Sequence, residues 1–352
     1  MPYPISDHYD GSHFFNPEPM NRAPAGKRMG TWSFLRSRLK RDPAIWAKWP
    51  DHIENTPYPG PAGLIEPGKA GITFIGHSSF LVRLPGLTFL TDPVFSKRAS
   101  PFSFIGPRRV RAPGLALAAL PQIDLILLSH NHYDHMDLAS LRRLRKRFPE
   151  ARIVTPLGNR EFLAKKGLPG ATELDWWQSA SIGETRITAT PARHFAARWL
   201  NDRNETLWAG FMLEHRGARL YFAGDSGYTK FFAEIRQRFG SPHIALLPIG
   251  AYEPRWFMQA VHMNPADAAQ AFADLDPGLA IGMHFGTFQL TGEAIGQPEK
   301  DLALAKIATG IGDDRFITLD FGETRQFAAG QATGQAVGAG SGNRTRASSL
   351  GS

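Results

Sequence analysis

Seven residues, Ser129-His130-Asn131-His132-Tyr133-Asp134-His135, constrain this chain more than any other stretch. They follow an apolar run, Ile123 to Leu128, that reads as a buried strand. They precede Leu138, Leu141, Leu144 and Phe148, spaced three or four apart as on a helix. A strand therefore ends, a short loop carries three histidines and an aspartate, and a helix begins. His130 and His132 are two apart, so an extended turn aims both imidazoles at one point. Asp134 and His135 are adjacent and must point differently, which suits a second point nearby. Imidazole and carboxylate are donors for divalent metals. Two metals ~3.5–4 Å apart would be served by such a loop. The competing reading, a polar loop with surface histidines, does not account for so dense a cluster in a strand–loop–helix setting.

The donor set is further limited because the chain has no cysteine. Thiolate sites and disulfides are excluded, so any metal is held by His, Asp or Glu. The 352 residues allow a sizeable core, and 42% apolar with 20% charged residues is ordinary for a packed enzyme. A net charge of +8 and a pI near 9.8 favour anionic partners. No apolar run approaches the ~20 residues of a membrane span. The N-terminus lacks a charged-then-apolar signal pattern, so the expected location is cytoplasmic, at or near the inner membrane face.

Strands are predicted at 72–75, 80–84 and 87–90, then at 185–190, 219–223 and 279–283. His77 lies between the first two and reads as a structural or ligand-supporting residue rather than a ligand; Asp92 ends the third and either orients the histidine loop or caps a turn. The later strands each lead to a candidate ligand, His194, Asp225 and His284. In layered α/β proteins, sites gather where loops converge beyond strand ends. His130, His132 and His194 make one expected site, and Asp134, His135 and His284 a second, with Asp225 bridging. A helix is predicted from Asn264-Pro265 through Leu275. His262, just before it, is the candidate proton donor, with a pKa expected near working pH.

Three other stretches read as follows. Residues 1–60 form an arm flanking or packed on a domain at 61–327, and Trp32–Trp49 within it reads either as a basic amphipathic helix or as part of that packed arm. Pro93 to Ile123 has no acidic residue and interleaves Lys97, Arg98, Arg108, Arg109 and Arg111 with Phe95, Phe102, Phe104 and Ile105, a composition that suits a lipid headgroup or phosphate ester and equally a solvated loop with a few anchoring aromatics. Residues 328–352 are expected to be disordered.

The His130–His135 motif, with His194, Asp225 and His284 in order, resembles the metallo-β-lactamase superfamily. A closer similarity is to N-acylphosphatidylethanolamine-hydrolysing phospholipases D and their bacterial relatives. Thr91-Asp92-Pro93-Val94-Phe95-Ser96, Leu174-Asp175-Trp176-Trp177, Phe222 to Tyr228, Pro248 to Met258 and His284-Phe285-Gly286-Thr287-Phe288 carry it, along with Arg98-Ala99-Ser100-Pro101. The resemblance implies an α/β (α+β) fold, the four-layer αββα sandwich, and two zinc ions held by all seven ligands. It implies a phosphodiesterase that cleaves a phospholipid to phosphatidate and an N-acylethanolamine through a bridging hydroxide. Asp134 and His262 are then the expected catalytic residues, and Tyr133, Tyr252, Ser103 and Phe104 the expected substrate contacts. The family's lipid enzyme has Gln-Tyr where this chain has Ser103-Phe104, and Gln where it has Val261. The expected partners are the phospholipid and an anionic membrane surface, not nucleic acid, and a homodimer is allowed. Other hydrolases of the same fold and a non-catalytic metal-binding membrane protein are the alternatives.

Overall fold

The computed structural model describes residues 3–18, 43, 45–61, 63–199 and 201–330. Its first sheet holds β1 (Lys69–Gly76), β2 (Ser79–Leu84), β3 (Leu87–Thr91), β4 (Leu125–Leu127), β5 (Arg152–Pro156) and β6 (Thr172–Leu174). The second holds β7 (Ser179–Ile182), β8 (Thr185–Thr190), β9 (Gly210–His215), β10 (Ala218–Phe222), β11 (Ile244–Pro248), β12 (Leu279–Met283) and β13 (Phe316–Ile317). A last strand, β14 (Thr324–Ala328), returns to pair with β1. The helices are α1 (Leu138–Arg147), α2 (Asn159–Lys165), α3 (Phe231–Phe239), α4 (Arg255–Met258), α5 (Pro265–Leu275) and α6 (Gln297–Thr309).

Alternation along β4 shows how the layers arise. Leu125 and Leu127 enter the core between the sheets, with Phe211, Leu213 and Phe222 of the second sheet. Ile126, on the opposite face, packs with Leu141 and Leu144 of α1 and Leu163 of α2. Phe232 and Ile235 of α3, Phe272 and Leu275 of α5 and Leu302 of α6 join the main core through the second sheet. The result is the expected four-layer αββα sandwich.

The two sheets repeat one topology. In the order β14-β1-β2-β3-β4-β5-β6 the first three pairings are antiparallel and the last three parallel. The order β7-β8-β9-β10-β11-β12-β13 repeats that pattern. As a result β1, β3 and β4 run one way in the first sheet, and β8, β10, β11 and β12 run one way in the second. Their carboxyl ends deliver His77, Asp92, His130, His194, Asp225 and His284, the arrangement that builds sites in open α/β sheets.

The helix predicted at 264–275 forms, with a capping box between Asn264 and Asp267 and Pro265 in its first turn. The expectation of disorder from 328 does not hold for the first tail residues: Ala328 ends β14, and Ala329 is fully buried with its amide donating to Gly68 O at 2.8 Å. Residues 331–352 lie outside the described residues, as does most of Trp32–Trp49. The described start of the chain is tied to the core. Tyr9 and Phe14 are buried in it, and Asn16 Nδ2 donates to His194 O at 2.8 Å.

Candidate metal centre

His130, His132 and His194 converge. His132 Nδ1 lies 2.8 Å from His130 Nε2 and 3.3 Å from His194 Nε2. His135 Nε2 and His284 Nε2 lie 3.4 and 3.5 Å from Asp134 Oδ2, and each is 3.0 Å from Asp225 Oδ2. Asp225 Oδ2 is also 4.0 Å from His130 Nε2 and 3.8 Å from His194 Nε2. One carboxylate oxygen thus stands between a three-histidine group and an Asp-His-His group. The seven residues predicted as ligands are all in this cluster.

The surrounding hydrogen bonds decide which ring nitrogens face inward. His135 Nδ1 is 2.6 Å from Asp92 Oδ2, and His130 Nδ1 is 2.9 Å from Ser129 Oγ, which itself donates to Asp92 Oδ2 at 2.5 Å. Asp92 Oδ1 accepts from Ser129 N at 2.7 Å. His194 Nδ1 donates to Val261 O at 2.9 Å. Each of these contacts occupies Nδ1 and leaves Nε2 for the centre, as the hydrogen bonds that orient metal-bound histidines do. His77 Nε2 sits 2.9 Å from Asp134 Oδ2. His77, Asp92 and His284 have positive φ of 60°, 34° and 64°, a costly backbone state for non-glycine residues that clusters where geometry is imposed for function.

The chemistry of this donor set fits divalent cations. Burial favours protonation of Asp134 and Asp225, yet the facing histidines hold both carboxylates well below their usual range, so the charge stays. Burial lowers the His284 pKa, but Asp225 and Asp134 outweigh it and push it up to about 9. The carboxylates therefore favour positive charge at their centre. Asp225 Oδ1 is buried without a hydrogen-bond partner, and His135 Nε2 and His284 Nε2 face the carboxylates without well-aligned hydrogen bonds, as atoms meant for a metal would be.

The other predicted residues are placed less uniformly. Tyr133 stacks against the Arg198 guanidinium and lines a cleft of about 730 Å³ beside the cluster. Ser103 lines the same cleft, and Phe104 is 76% exposed nearby in sequence. Tyr252 differs from expectation: it is buried, and its hydroxyl donates to Asp301 Oδ2 at 2.5 Å. His262 reaches the cluster, with Nδ1 4.0 Å from Asp225 Oδ2. However, burial drives its pKa well below the ordinary histidine value rather than leaving it near working pH. Sequence reasoning missed Ser129 and Arg198. Ser129 adjoins the motif, but nothing local to Arg198 signals its partners, more than sixty residues away.

Fold and cluster together define a metal-dependent hydrolase of the metallo-β-lactamase fold. Residues 88–285 match the beta-lactamase superfamily domain, and the chain belongs to that superfamily. It is 37% identical over 263 residues to an N-acyl-phosphatidylethanolamine-hydrolyzing phospholipase D of Caenorhabditis elegans, across 71% of this chain and 74% of that one. It is 36% identical over 262 residues to the mitochondrial enzyme of that name from Saccharomyces cerevisiae, across 72% of this chain and 55% of that one. A metallo hydrolase from Ignicoccus hospitalis shares the fold, with a TM-score of 0.57 and 22% identity over 74% of this chain and 98% of that chain.

Proposed function

We propose that the chain is a binuclear zinc phosphodiesterase of the phospholipase D type, acting on N-acylated phosphatidylethanolamine at a membrane surface. The observation that carries this reading is Asp225 Oδ2, within 4.0 Å of ring nitrogens from both halves of the cluster. Such a shared carboxylate is what a pair of ions requires. His130, His132 and His194 would hold one zinc and Asp134, His135 and His284 the other, with Asp225 between. Two bound ions lower the pKa of a water toward neutral and offset the charge of a phosphoryl group.

The chain's own groups then divide the remaining tasks. His77 beside Asp134 and Asp92 beside His135 hold ligands in place. His262, neutral through burial, offers a hydrogen-bond donor to an oxygen that gains charge. The cleft beside Tyr133 carries Lys97, Arg98, Arg142 and Lys166, which suit an anionic diester. Phe102, Phe104, Ile105 and Trp199 are 45%, 76%, 58% and 59% exposed and provide apolar surface for acyl chains and bilayer. No helix among the described residues is long and apolar enough to cross a membrane. The similarity to two proteins named as hydrolysing this lipid supports the substrate.

The test is turnover of N-acylphosphatidylethanolamine beside simple phosphodiesters and lactones, with metal content measured in the same sample. Preferred cleavage of the lipid by protein with two zinc ions is expected. Preference for a lactone, or full activity with a single ion, would replace this reading by another hydrolase on the same scaffold.

A further inference from the structure

Arg198 follows His194 by four residues, yet its side chain is spent on the other metal-binding loop. One terminal nitrogen, Nη1, donates to Asn131 O at 2.5 Å and to Met136 O at 2.8 Å. Those two carbonyls bracket His132, Asp134 and His135. The guanidinium carbon lies 4.0 Å from the Tyr133 ring centroid and 5.3 Å from that of Phe162, so stacking fixes its plane. The nearby carboxylates are committed elsewhere. Asp202 Oδ1 accepts from the backbone amides of Arg198 and Trp199, at 2.9 and 2.8 Å, and Asp137 accepts from Ser96 N and Ala139 N. The His194 loop is thereby closed on itself by Asp202, then fastened to the His130–His135 loop by the arginine.

We propose that Arg198 is a positioning residue: a strut that sets the spacing between the His194 loop and the His130–His135 loop, and with it the affinity of the centre for metal. The physical reason is leverage. His130 and His132 leave β4, whereas His194 leaves β8 in the other sheet. Core packing between sheets fixes the strand ends, but the loops extend beyond them. Two short hydrogen bonds from a charged, planar donor are a stiff link between the two loops. This rests on the metal-centre reading above but not on the lipid substrate.

The test measures metal directly. Wild-type protein, Arg198→Met and Arg198→Lys are compared for zinc affinity by competition with a chromophoric chelator, and for the visible spectrum of the cobalt(II)-loaded protein. Arg198→Met keeps most of the bulk and removes both donors. It should weaken zinc binding by about 10–100-fold, the range for outer-shell partners, and change the cobalt spectrum. Arg198→Lys restores a charged donor without the stacked plane and should fall between. Wild-type zinc affinity and cobalt spectrum in Arg198→Met, with any lost activity confined to a higher KM, would overturn the strut and make Arg198 a substrate contact. Should Arg198→Met not fold, unchanged affinity in Arg198→Lys overturns it equally. Wild-type protein that binds no zinc would instead remove the metal-centre reading itself, and the strut with it.

Discussion

The Asp92 carboxylate lies 2.6 Å from His135 Nδ1, and neither side chain is exposed to solvent. The pair fixes the imidazole with Nε2 toward the cluster, and through Ser129 Oγ the same carboxylate oxygen also steers His130. One residue just beyond β3 therefore orients a histidine in each group of the cluster.

Replacing Asp92 by asparagine should test that control. The amide can present its NH2 to His135 Nδ1, which favours the wrong tautomer. Zinc affinity is expected to fall about 10–100-fold, with both halves affected. Chelator competition measures it. An affinity loss confined to one ion would show that the Ser129 relay to His130 is not functional.

His262→Ala should leave both ions bound and reduce turnover by about 10²–10³-fold, the range for a lost oxyanion donor. Because burial favours the neutral ring, the loss should be of similar size for a lipid ester and for a nitrophenyl ester with an acidic leaving group. A much smaller loss with the nitrophenyl ester would identify a proton donor instead. Loss of metal would make His262 a ligand, a role its place beside His194 and Asp225 permits.

Exposed apolar residues beside a cationic cleft predict two separable contributions to membrane binding. Phe104→Ser with Ile105→Ser should weaken sedimentation with both anionic and neutral vesicles. Raising the salt concentration should weaken binding to anionic vesicles only, each well-placed basic residue being worth about 1 kcal/mol near the surface. Salt-independent binding that is equal for both vesicle types would remove the electrostatic contribution.

A histidine outside the cluster gives a pH prediction. His8 stacks on Trp176 and lies 2.6 Å from Asp7 and 2.7 Å from Asp175. Burial lowers its pKa, but hydrogen bonds to Asp175 and Asp7 outweigh this and raise it above the ordinary value. The clasp therefore contributes fully to stability below the ordinary histidine pKa and is lost as pH rises through the raised one. Urea unfolding of wild type and His8→Gln should differ most in mildly acidic solution and converge in mildly alkaline solution. A gap that widens with pH would reverse the assignment.

Several strands and the histidine–aspartate cluster were legible in the sequence because they depend on short-range rules. Short apolar runs mark β1, β2, β3, β4, β8, β10 and β12, and a histidine loop between strand and helix has few idle uses. Its paired spacing even indicated two ligand groups. β5, β6, β7, β9, β11, β13 and β14 were not predicted; the shortest, β6, β7 and β13, are defined by their sheet partners rather than by their own residues. The same holds for the site's support. Ser129 serves Asp92 across two strands, Arg198 reaches carbonyls more than sixty residues away, and Tyr252 turns to Asp301 on a helix whose position only the folded core sets. The protonation of His262 also belongs to the tertiary structure, since desolvation depends on everything packed around the ring. The sequence by itself determined which atoms could bind metal; the packing of two like sheets decided which of them meet and which way each imidazole faces.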